Sequence, residues 1–252
     1  MRMLNNTTLL LLAVAAGVVA CWWLLGGAAG ARDWRTASSE PVGIAPDPAV
    51  TPDPLIQVYA ARAWGWRGYF GVHTWIAVKR TNGAAYTVYE VIGWRLRSSD
   101  TAVAIRQRPP DARWFGSAPV LLAEKRGNGI DALIDRIDRV AREYPYAGVY
   151  SAWPGPNSNT FTAYLTRVVP ELGADLPPTA IGKDYLGDKF VARAPSGRGF
   201  QLSLYGLLGV LASGPEGIEV NLFGLSFGVD PLAPAIKLPF FGRLGATSTT
   251  YR

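Results

Sequence analysis

The chain has 252 residues, 49 % of them apolar and 17 % charged, with a net charge of +6. That is enough for one substantial hydrophobic core and too apolar for disorder. A single cysteine, Cys21, and a single histidine, His73, exclude structural zinc, a disulfide framework and thiolate catalysis in the body of the protein, and the scattered cations exclude a dedicated nucleic-acid site.

The first element is an uncharged run, LLLLAVAAGVVACWWLLGGAAGA, over residues 9–31. It is long enough to cross a bilayer as a helix. It can be an uncleaved anchor covering residues 1–32, a signal peptide cut after Ala29-Gly30-Ala31, or a lipoprotein signal with the box VVAC ending at Cys21. The anchor is the preferred reading and makes the membrane a partner. Residues 33–54 carry Pro41, Pro46, Pro48, Pro52 and Pro54 and read as an extended linker able to hold a domain off the membrane.

Residues 55–252 then read as a single α+β domain. LIQVYAARA at 55–63 is a strand rich in β-formers. WGWRGYF at 64–70 crowds aromatics around Arg67, for core packing or for a bilayer interface; its continuation RGYFGV departs from an RNA-binding strand motif at Phe70. Asn82-Gly83 between two alternating runs predicts a hairpin. A two-residue loop there makes Trp75 face Glu90 and His73 face Ile92, so His73 and Glu90 become diagonal neighbours on one sheet face.

The segment 129–147 has Ile130, Leu133, Ile134, Ile137, Val140, Ala141 and Tyr144 at helical spacing. VYSAW at 149–153 reads as a short bridge or strand. A second helix is predicted from about Asn159 to Val169, with Phe161, Tyr164, Leu165 and Val168 as its apolar stripe and Pro170 as its stop. Beyond it, 199–213 and 217–230 read as two strands joined at Gly214-Pro215-Glu216. The tail from Pro231 reads as loop, and no internal repeat of significant length is evident.

The chemistry centres on WPGPNSNTF at 153–161. Asn157, Ser158 and Asn159 can each cap a helix start, where free amide N–H groups and partial positive charge favour an anion or a developing oxyanion. Ser158 as nucleophile, His73 as base and Glu90 as orienter would make a catalytic set, with Asn157 or Asn159 binding an oxyanion. Lys183, in TAIGKDY at 179–185, could meet a carboxylate or phosphate of a substrate. The bland alternative is a helix cap, a satisfied strand histidine and a surface salt bridge. No acidic cluster suggests a metal, and no cofactor is implied.

HTWIAV at 73–78, a hairpin, an amphipathic helix and NSNTF at 157–161 together resemble the permuted papain-like hydrolases: circularly permuted NlpC-type peptidases, the lecithin–retinol acyltransferase group and deSUMOylating peptidases. Ser158 stands at the cysteine position of their helix-start motif, so the resemblance implies a serine-dependent hydrolase or acyltransferase, or a non-catalytic relative. The chain from 55 to 245 also resembles an uncharacterised bacterial membrane-associated family in which HTWIA, WPGPNSNTF and LPPTAIGKDY recur. Together these imply an antiparallel sheet packed with two main helices, permuted papain-like, after an N-terminal transmembrane helix. They also imply a single-pass bacterial membrane location with the domain outside the cytoplasm. The implied substrate is an amide or ester of cell-wall peptide or lipid; the alternative is an envelope protein that binds or braces without catalysis.

Overall fold

A computed structural model describes residues 33–246, and two antiparallel sheets with two helices make up the regular structure. The first sheet contains β1 (Leu55–Arg62), β2 (Val72–Lys79), β3 (Thr87–Val91), β4 (Val103–Gln107) and β5 (Val120–Arg126), in the order β4-β3-β2-β1-β5. Helices α1 (Ile130–Arg142) and α2 (Ser158–Val168) cover one face of it. The α+β class with antiparallel sheets and two helices therefore stands. The expected anchor lies outside the described residues; among those described, no helix is long and apolar enough to cross a membrane.

The β2–β3 ladder runs Ile76↔Tyr89, Ala77↔Val88 and Val78↔Thr87. This is the register the Asn82-Gly83 turn dictates, although the loop is wider than two residues. Side chains alternate along each strand. Ile56, Ile76, Val78 and Tyr89 meet Ile134, Ile137, Phe161 and Leu165 in the helix-side core. Leu55, Tyr59, Trp75, Ala77 and Val88 form a second cluster on the opposite face, with Trp114 against it. In α2 the expected stripe holds at Phe161 and Leu165, but Val168 is exposed and Thr162 and Thr166 are buried in its place.

The proline-rich segment is not a free linker. Pro41 bridges to Ala112, the Ile44 amide donates to the Asp111 carboxylate at 2.7 Å, and the Tyr86 hydroxyl donates to the Pro46 carbonyl at 2.8 Å. Proline pre-extends the chain, so fixing it as a strap costs little further entropy. Residues 149–153 form a loop and not a strand.

The second sheet is a meander in chain order: β6 (Val191–Arg193), β7 (Phe200–Leu204), β8 (Leu208–Ser213), β9 (Gly217–Leu222), β10 (Leu225–Asp230), β11 (Ala235–Leu238) and β12 (Gly242–Gly245). Each of the two expected long strands is thus a hairpin, and the expected loop-like tail supplies two more strands. The turns explain the misreading. They are built on aromatic–glycine pairs, Tyr205-Gly206, Phe223-Gly224 and Phe241-Gly242, and lack an Asn-Gly signal. Gly206, Gly224 and Gly242 have φ of +72°, +82° and +84°, the left-handed region that favours glycine. They recur at a constant spacing of 18 residues, so the chain does contain a repeat: GFQLSLYG, GIEVNLFG and AIKLPFFG.

Candidate functional site

His73 and Glu90 meet as the hairpin register requires, with His73 Nε2 3.0 Å from Glu90 Oε2. Glu90 is fully buried. Its other oxygen accepts from Arg106 Nη2 at 2.9 Å and Arg108 Nε at 3.3 Å. Arg108 also lies over the Trp75 ring, 5.2 Å from its centroid, and Trp114 stacks on the imidazole at 3.6 Å with 8° between planes. Burial lowers the His73 pKa below its ordinary 6.5, against the pull of Glu90. The imidazole is therefore neutral at neutral pH, and Nε2–H donates to the carboxylate. Burial alone would raise the Glu90 carboxyl, but the His73 hydrogen bond and the Arg108 and Arg106 charges outweigh it and hold the pKa at about 2.

Ser158 is on the other side of the sheet. It is the first residue of α2, on the helix-covered face, and it is 4 % exposed. The strand residue that reaches it is Thr74, whose hydroxyl lies 3.3 Å from the Ser158 carbonyl, 3.0 Å from Asn159 Oδ1 and 2.9 Å from Thr162 Oγ1. Because Thr74 points to α2, its neighbour His73 must leave the opposite face. Among the described residues no hydrogen bond joins the Ser158 hydroxyl to the imidazole. The sequence brought the expected base and orienter together correctly, but the expected nucleophile is separated from them by the sheet.

The expected oxyanion donors are also committed. Asn157 caps α2: its side-chain oxygen accepts from the Asn159 and Thr160 amides at 2.9 and 3.2 Å, and the Asn157 amide donates to Thr160 Oγ1 to close a capping box. The Asn157 side-chain NH2 donates to the Ala152 and Ile181 carbonyls at 3.1 and 3.0 Å. That of Asn159 donates to the Val72 and Ile181 carbonyls at 3.0 and 2.8 Å. Each NH2 has two hydrogens, so neither keeps one for a ligand. Thr160 Oγ1 adds a bond to the Gly182 carbonyl at 2.8 Å. The PNSNTF stretch therefore clamps the loop 179–185 onto the start of α2.

Lys183 extends that clamp. It is buried, donates to the Leu176 carbonyl at 3.2 Å and pairs with Glu219 on β9. Burial lowers its pKa, but the Glu219, Asp184 and Asp175 charges outweigh this and the ammonium is held charged well above its ordinary range. Neither expectation for Lys183, a substrate contact or a solvated salt bridge, describes it. Asp184 accepts from Gln201, and from Asn221 Nδ2 at 2.7 Å. Glu219 also pairs with Lys237 at 2.7 Å, and Lys237 with Asp175 at 2.6 Å. Gln201, Glu219 and Lys237 occupy one column of the 18-residue repeat, the signal in the sequence that could have revealed this buried row.

An open groove of about 480 Å³ lies between the strap and the loop after β4, bordered by Pro41, Pro46, Tyr86, Arg108 and Asp111. Its three charged members are engaged, Arg108 with Glu90, Asp111 with the Ile44 amide and Asp47 with the Ala49 amide at 2.9 Å. Among the described residues no group of three or more His, Cys, Asp or Glu side chains is placed to hold a metal ion.

These features define an α+β protein in which the singled-out polar residues tie elements together. The chain belongs to the family described as protein of unknown function (DUF3750), which matches residues 53–185, just over half its length. The match ends at Tyr185, the last residue of the clamped loop, before the second sheet. No curated protein and no solved structure matches the chain.

Proposed function

We propose that the protein is a non-catalytic component of a bacterial cell envelope, held at the membrane by the apolar run 9–31, with its body on the extracytoplasmic side. The observation that carries the non-catalytic reading is the placement of His73 and Ser158 on opposite faces of one sheet. A general base must come within about 3 Å of the hydroxyl it deprotonates, directly or through one water. Of the permuted papain-like layout, the order of strand, hairpin, helix and helix remains; the facing of imidazole onto nucleophile does not. The membrane tether rests on the length and lack of charge of residues 9–31.

Treatment of the full-length protein with a fluorophosphonate probe tests this reading. No labelling attributable to Ser158 is expected over a wide pH range. Labelling that disappears in Ser158→Ala would overturn it and restore the serine hydrolase.

A further inference from the structure

The second sheet is built with its charges inside. One cross-strand row facing the body contains Gln201, Leu211, Glu219, Gly228, Lys237 and Arg243. Its charged members are neutralised in place: Lys237 and Glu219 as above, and Arg243 by Asp230 at 2.8 Å. The adjacent row on the outward face reads Phe200, Ala212, Ile218, Val229, Ile236 and Leu244 across six strands. Ile218 and Val229 are each 50 % exposed and Ile236 is 54 % exposed. A one-sided antiparallel sheet in water carries the reverse pattern, and a contiguous apolar face of this extent marks a surface that meets something other than water.

We infer that this face seats on the hydrocarbon boundary of a lipid bilayer. The choice of occupant rests on the proposed tether and on how little slack follows it. The strap is bound to the body from Ser38 onward, through the Gly116 amide to the Ser38 carbonyl at 2.9 Å and the Arg113 amide to the Glu40 carbonyl at 3.1 Å. Only residues 32–37 separate it from the apolar run, and six residues span at most roughly 20 Å. The body is thereby confined next to the bilayer, where an apolar face gains by entering the acyl boundary. Seven strands at about 4.8 Å spacing are nearly 30 Å wide, far more than a single helix about 10 Å wide would cover. Lys189, Arg193 and Arg198, beside the single acid Asp188, are exposed along the β6 edge, placed for anionic headgroups. Each strand from β7 to β11 has a hydrogen-bonded neighbour on both sides, which reduces the backbone polarity the face would have to desolvate.

The test uses the full-length protein in phosphatidylcholine–phosphatidylglycerol vesicles with nitroxide-bearing acyl chains. Val220→Cys, on the outward face, and Asp135→Cys, on the exposed side of α1, are each made with Cys21→Ser and labelled with a fluorophore. The Val220 position is expected to lose most of its emission to the lipid quencher, and the Asp135 position almost none. Quenching of the Val220 label by aqueous iodide instead would overturn the inference. So would protection from both quenchers together with disulfide formation between two unlabelled Val220→Cys chains on addition of a mild oxidant, which would assign the face to a second copy. Ile218→Cys repeats the measurement should Val220→Cys fail to fold. The native Cys21, labelled in the unsubstituted protein, reports the tether separately, so failure of the tether and failure of the sheet inference give different patterns.

Discussion

His73 and Thr74 are consecutive on β2, and they serve opposite sides of the protein. His73 joins Glu90 beneath the strap, and Thr74 hydrogen-bonds to the first turn of α2. The strand thus holds two polar assemblies apart with one sheet thickness between them, and both act as internal braces.

The cage around Glu90 sets a first expectation. The carboxylate is fully buried with two guanidinium partners and one imidazole. Glu90→Gln leaves Arg108, which is largely buried, without its counter-charge. The unfolding free energy in urea should drop by about 3–5 kcal/mol, the usual cost of breaking a buried pair from one side. A loss under about 1 kcal/mol, typical of an exposed pair, would contradict the cage as a structural brace.

The same cage imposes a pH dependence. Folded His73 stays neutral below its ordinary pKa of 6.5, where the unfolded residue takes up a proton. The unfolded chain then binds more protons, so stability falls as pH drops through that value. Glu90 acts in the same direction at lower pH: its contribution is complete above 4.5 and is lost as pH falls toward about 2. Urea melts of His73→Gln should therefore show a flatter stability profile than the parent between about pH 7 and 5. Parallel profiles would mean that His73 titrates alike in both states.

Gly182 tests the clamp. Its φ is +93°, and an added Cβ would lie 2.5 Å from Asn157 Nδ2. Gly182→Ala should cost at least about 2 kcal/mol through strain and displacement of the Asn157 bonds. Asn157→Ala should cost about 1–2 kcal/mol through the lost cap. Because both disturb one contact, the double variant should lose less than the two losses combined; strict additivity would show that the residues do not communicate.

Lys183→Met removes one of the two cations that neutralise Glu219. A stability loss of about 3 kcal/mol is expected. Limited proteolysis should cut first in the exposed stretch 188–191, where the chain passes to the second sheet. Cleavage first in the strap would show that the ion pair does not hold the sheet to the body.

Much of this was legible along the chain. The Asn82-Gly83 turn and period-two alternation place His73 beside Glu90, and the spacing of Ile130, Ile134, Ile137 and Ala141 yields α1 because a local period suffices. The strap was not legible, because proline reads as linker whether or not Asp111 awaits it. The 18-residue repeat was visible in GFQLSLYG, GIEVNLFG and AIKLPFFG, but aromatic–glycine turns hide the strand breaks.

By itself the sequence determined β1 to β3 and the two helices, the β2–β3 pairing across its short turn, a capping segment at 157–159 and the alternating faces of those strands. It did not determine which face of β2 receives α2. Val72, Ile76 and Val78 on one side, and Trp75 and Ala77 on the other, are equally apolar, so no local preference separates them. The tertiary structure decided that, and it decided that the second sheet turns its charges inward. That choice depends on Asp175, Lys183 and Asp184, which lie far along the chain from most of their partners. Burial of paired charges is favourable only once the fold has brought both members together.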